Sequence, residues 1–267
     1  MERLKIRYSE PEGYFPKEIR EKYFGDALRL AADAGSELCR DGMPGVRLFF
    51  FTLRKGRKKT FPPLSDWCRV FVLTGGAGVF SCGGKTDEFG ERAAFACPPG
   101  AEAVFEAHKA SRLLEIAVEL NEEDKAEFDP NKLPLALIYK DSTQYRDPCK
   151  SEKSISRMMI EHGIIPRFAM GSVESRGFDR VEPHTHPMLD QFFVRFKEND
   201  SILLIDGERI PFGGETAYHI PLGSSHGVEV AEGGKLHYLW IDHMTDREAG
   251  KKRLDENYRR TGTVREL

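Results

Sequence analysis

The chain has 267 residues, 40% hydrophobic and 31% charged, which suits one large domain or two small ones. Its 40 basic and 43 acidic residues leave a net charge of -3, with no global attraction to nucleic acid or anionic lipid. No apolar stretch nears the roughly 20 residues of a membrane span, and Met1-Glu2-Arg3-Leu4-Lys5 lacks a signal-peptide core, so a cytoplasmic protein without nucleic-acid or membrane partners is expected.

In chain order, apolar residues at Ile19, Tyr23, Ala27, Leu28 and Ala31, between Pro16 and Gly35, predict an amphipathic helix in an N-terminal extension, 1–45. From 46 to 120 the pattern changes to short β-rich runs at 46–53, 68–73, 79–82, 92–96, 103–107 and 113–120. Turn chemistry separates them, at 74–78 and at Gly83-Gly84-Lys85. Short strands at such spacing predict a sandwich or barrel.

Residues 121–160 are polar and carry Pro130, Pro134 and Pro148, which reads as a linker; Asn121 would cap a short helix there. A second β-rich series fills 161–243, with runs at 168–173, 180–185, 191–196, 202–205, 208–212, 216–220, 227–230 and 236–241. Asp206-Gly207 is a hairpin signal. Residues 244–267 are charged with both signs mixed and predict a solvated helix or polar tail.

The histidines are unevenly placed. His108 alone lies in the first 160 residues, whereas His184, His186, His219, His226, His237 and His243 share a stretch of about sixty. In a strand, His184 and His186 would face the same way, as one metal ion requires. Gln191 opens the next strand. His226 follows the rigid corner Pro221-Leu222-Gly223-Ser224-Ser225. The five cysteines (39, 68, 82, 97 and 149) include no close pair, so neither a disulfide framework nor a CxxC motif is indicated; Cys68 and Cys97 are expected to pack as small apolar groups.

His184-Thr185-His186, four intervening residues and Gln191, then Gly214, Pro221, Gly223 and His226, resemble the two motifs of the cupin superfamily. The first motif usually ends in Glu, where Gln191 stands here. The second has one extra residue between Gly214 and Pro221, and Val230 replaces an Asn often found there. In the first half, Gly90-Glu91 through Pro98-Pro99-Gly100 is similar to the second-motif corner, with Ala103 where its histidine would fall. The resemblance therefore implies a mainly all-β bicupin: two antiparallel barrels or jelly rolls with an N-terminal helix and short flanking helices. Only the second barrel would hold a metal.

The resemblance implies one divalent transition metal (Fe, Mn, Ni, Zn or Cu) on His184, His186, His226 and Gln191, a small-molecule substrate and a homodimer. It also implies dioxygenase, decarboxylase, isomerase or lyase chemistry, or non-catalytic ligand binding. A neutral ligand set leaves the ion's charge uncompensated and favours an anionic or oxygen-chelating ligand, which leans towards dioxygenase chemistry. Asp190 is an alternative ligand that alternation turns to the opposite face. Arg195 shares the Gln191 face and is either a substrate anchor or an arginine whose head escapes at a strand end. Met188, Tyr218, Tyr238 and Trp240 are candidate pocket walls. His219, His237 and His243 lack motif partners and read as structural. The basic run 54–59 reads as a solvated loop or an anion-steering rim.

Overall fold

The computed structural model describes residues 25–27, 35–213, 216–262 and 264–267. Most of the helix expected over 16–35 lies outside these residues, as does Gly214. Gly25–Ala27, inside the expected helix, is instead a strand paired antiparallel with Thr216–Ile220.

The chain divides into two compact units. One gathers residues 35–142 with 163–166, the other residues 25–27, 143–162 and those from 167 onward. The segment expected as a linker, 121–160, is thus itself structured. It forms a capped helix at Glu122–Glu127, whose Asn121 and Asp124 bond each other's backbone N–H, and strands at Leu135–Ile138, Thr143–Arg146 and Ile155–Ile160.

In the first unit a six-stranded sheet runs in the order Leu135–Ile138, Ala93–Cys97, Trp67–Gly75, Ser111–Glu119, Val46–Leu53, Ser36–Leu38. Its partner has the order Lys58–Phe61, Ala103–Ala107, Gly78–Cys82, Lys85–Phe89. Phe residues from both sheets fill the core: Phe80 stacks on Phe95 at 5.3 Å and meets Phe105 at 4.5 Å, and Phe61 meets Phe71 at 4.6 Å.

The second unit has an eight-stranded sheet, ordered Gly25–Ala27, Thr216–Ile220, Leu189–Arg195, Lys235–Met244, Phe168–Arg176, Ile155–Ile160, Thr143–Arg146, Arg259–Arg260. Its four-stranded sheet is Asp179–His184, His226–Val230, Asp200–Ile205, Glu208–Gly213. The four-stranded sheets of the two units match strand for strand. Both tight hairpins turn through two residues of positive φ, Gly83-Gly84 (57° and 81°) and Asp206-Gly207 (48° and 83°), the conformation that a two-residue turn between twisted strands demands. The charged C-terminal stretch forms the helix Arg247–Asn257, capped by Asp246, which buries Leu254.

Candidate metal centre

His184 is the last residue of its strand, directly opposite His226, the first residue of its own. A register shift between Val181 and His184 ends regular pairing there. His186 therefore lies beyond the strand rather than within it, yet the rings still converge. Centroids are 4.7 Å apart for His184 and His186, 4.8 Å for His184 and His226, and 5.3 Å for His186 and His226. The Pro221 carbonyl accepts from Ser224 N–H at 3.0 Å, and Gly223 takes φ 78°, so the rigid corner delivers His226 to the site.

The hydrogen bonds fix which nitrogens face inward. A carbonyl only accepts, so Nδ1 of His184 donates to the Glu182 carbonyl at 2.6 Å, and Nδ1 of His226 donates to the Ser224 carbonyl at 3.0 Å. Each Nε2 then keeps its lone pair when the ring is neutral. Burial, reinforced by the neighbouring histidines, pushes His226 down to about 3 and His186 to about 2; His184 is lowered by burial too. Three neutral imidazoles are the protonation state that metal ligation needs.

Nε2 of His226 and Nδ1 of His186 are buried without a hydrogen-bond partner. Such orphaned acceptors are costly unless an electrophile meets them. One nitrogen from each ring lies within 4.8 Å of the others. A tetrahedral ion bound at roughly 2.1 Å sets its ligand atoms about 3.4 Å apart, so the rings would draw together by up to roughly 1.4 Å around it. The residues fit a divalent transition metal.

Gln191 lines the same small cavity, about 30 Å³, on the opposite sheet. Its amide Nε2 donates to Oδ1 of Asp242, its cross-strand partner, at 2.7 Å, which leaves the carbonyl Oε1 for a ligand role. Burial lifts the Asp242 carboxyl to about 7, against the opposing pull of the Gln191 bond and Lys150. Asp190 points the other way, as alternation requires, and accepts from Nε2 of His219 at 2.7 Å.

Arg195, the candidate substrate anchor, does not line the cavity. Phe193 lies between it and Gln191 on the strand; the guanidinium is 1% exposed, donates to Thr216 Oγ1 at 2.8 Å and sits 4.8 Å over the Phe212 ring. Tyr238 and Trp240 are cavity walls, whereas Tyr218 donates to the Pro211 carbonyl within the core and Met188 packs against that core. His237 meets the Glu198 carboxylate at 2.8 Å, a structural contact.

Asp147, Lys150 and Tyr258, which line the cavity, and Asp242, which holds the Gln191 amide, escaped the sequence. The first two lie in the stretch that read as a linker. Asp242 had a signal, because it continues the inward positions 238 and 240 of an apolar strand. Tyr258 had one too, as a lone aromatic in a charged segment.

No family model and no curated protein matches the sequence, but solved structures do. A cupin 2 conserved barrel domain protein from Leptotrichia buccalis aligns at TM-score 0.55 and 16% identity, over 78% of this chain and 88% of that one. An iolb-like protein from Salmonella typhimurium aligns at 0.57 and 14%, over 76% and 84%. Oxalate decarboxylase from Bacillus subtilis aligns at 0.57 and 12%, over 76% and 68%. At such identities the likeness is one of fold: a mainly β, antiparallel jelly-roll architecture of the cupin kind.

Proposed function

From a cupin fold with three neutral histidines at one end of a single barrel, we propose that the protein is a metal-dependent enzyme acting on a small anionic or oxygen-chelating metabolite. His184, His186 and His226 hold one divalent transition metal (iron, manganese, nickel, zinc or copper all suit imidazole), with the Gln191 carbonyl as fourth donor. Bound there, the ion supplies Lewis acidity and exchangeable positions.

The chain's own residues do the rest. The Glu182 and Ser224 carbonyls fix two imidazole tautomers, and Asp242 orients the Gln191 amide so that its oxygen is available. Phe193, Tyr238 and Trp240 close the apolar side and exclude bulk water. Because all four donors are uncharged, an anionic ligand is preferred, and chelating enolates of the kind that dioxygenases use fit that preference. The observation that carries the reading is the convergence of three neutral imidazoles, one nitrogen from each within 4.8 Å of the others, with the buried Nε2 of His226 unpaired.

Elemental analysis of protein purified without added metal tests this. About one transition-metal ion per chain is expected in the wild type and a small fraction of that in His226→Ala. Wild-type protein without stoichiometric metal would overturn the reading.

A further inference from the structure

The histidine cavity has a charged wall that ligation does not use. Asp147 and Lys150 come from the loop between Thr143–Arg146 and Ile155–Ile160, with side chains only 8% and 9% exposed. The Lys150 ammonium donates to the Tyr145 hydroxyl at 3.1 Å and to the Asp147 carboxylate at 3.3 Å, and lies 5.0 Å from the Tyr145 ring centre. An ammonium has three donors, so one remains for a guest. Burial works against the charge, but Tyr145 and Asp147 outweigh it and hold the pKa above the usual lysine value.

Asp147 and Lys150 also line a second, outer pocket of about 420 Å³. Its wall is polar: Ser154, Ser156 and Asn257 stand beside Arg146, Arg259 and Arg265 and the acids Glu152 and Glu256, with Glu152 paired to Arg146 at 3.0 Å. Arg265 donates to the carbonyls of Glu152 at 2.8 Å and Ser154 at 2.6 Å, so its positive charge stays in that wall. A volume of this size is typical of small-molecule sites, roughly 300–1,000 Å³. The histidine cavity, by contrast, has room for about two waters. A substrate reaching the histidines therefore has its reacting end in the small cavity and its body outside, with Lys150 at the junction.

The geometry points to Lys150 as the anchor of an anionic substrate, a small organic carboxylate. One carboxylate oxygen takes the remaining Lys150 donor, the other faces the histidines, and the rest of the molecule occupies the outer pocket. A carboxylate suits this single donor; a phosphate calls for several. The inference rests on the metal reading above and deepens it, and the two fail separately.

Cobalt(II)-loaded protein, followed by visible absorption, is titrated with acetate and with acetamide, its neutral isostere. Acetate is expected to shift the spectrum saturably and acetamide not to. Lys150→Met should weaken acetate by about tenfold or more with cobalt content unchanged. Asp147→Asn removes the carboxylate that competes for the ammonium and should tighten acetate severalfold. Equal acetate affinity in wild type and Lys150→Met, or equal response to both probes, overturns the anchor. If Lys150→Met does not fold, acetate binding that is unchanged or weaker in Asp147→Asn overturns it instead. Cobalt that fails to load sinks the metal reading alone. The anchor is then read from Trp240 fluorescence in the metal-free chain carrying Trp67→Phe, where a response to acetate that Asp147→Asn strengthens sustains it and no response ends it.

Discussion

At Gln191 an amide does two jobs that a carboxylate could not. Its N–H holds Asp242 at 2.7 Å while its carbonyl stays available in the cavity. Gln191→Glu would set two carboxylates against each other in a buried site, where they cannot both ionise. Burial already raises the Asp242 carboxyl to about 7 in the folded state, above the usual carboxylate range. A raised carboxyl pKa means that the folded state binds more protons in that window, so stability is gained as pH falls through the folded value and lost as it rises. For Gln191→Glu, metal-free stability should therefore drop by about 1–3 kcal/mol at a pH near 8 and by much less near 5. Urea unfolding at both pH values reads this; an equal drop at both would mean that the pair is not in contact. Gln191 itself was legible because motif spacing placed it. Its pairing with Asp242 was not, because cross-strand register joins residues 51 apart in sequence and the alternation that turns Asp242 inward does not say which residue it meets.

Among the elements, two of the strands that the sequence missed share a physical reason. Lys58–Phe61 and Lys85–Phe89 are the two outer strands of their four-stranded sheet, and they read KKTF and KTDEF. Edge strands carry charge to discourage pairing with other chains, and that charge erases the apolar run by which inner strands such as Val46–Leu53 are recognised. The basic run 54–59 accordingly ends in strand, at Lys58 and Lys59, with Lys59 lying 4.5 Å over the Phe51 ring. The helix Arg247–Asn257 was ambiguous for a related reason: its apolar hold is almost entirely Leu254, 1% exposed, too little to give a period. That concentration has a consequence. Leu254→Ala should cost about 2–4 kcal/mol, whereas Lys252→Ala, on the exposed side, should stay within about 0.5. Denaturant titration of the two variants measures the contrast, and similar costs would mean that the helix is held by its charged face.

Across the whole molecule, one architecture is used twice with different interiors. The two four-stranded sheets place Phe61 opposite Ala103 in the first unit and His184 opposite His226 in the second. Likewise Arg69, opposite Cys97, matches Gln191, opposite Ile220. The first barrel thus has an aromatic ring, a methyl and a guanidinium where the second has two imidazoles and an amide, and the Arg69 charge is met by Glu115 at 2.9 Å. Phe51, Phe61, Phe71, Phe80, Phe95 and Phe105 fill the space below. The duplication was readable as two strand series, and the loss of the first site was readable as Ala103. Metal should consequently act on one barrel only. A ligand that binds the folded state alone suppresses local opening by a factor set by its excess over Kd, about 100-fold at a hundredfold excess. Hydrogen exchange with and without metal should slow at 179–186 and 224–230 and stay unchanged at 58–63 and 101–107. Equal slowing in both sets would place an ion in both barrels, against the chemistry of Phe61, Ala103 and Arg69.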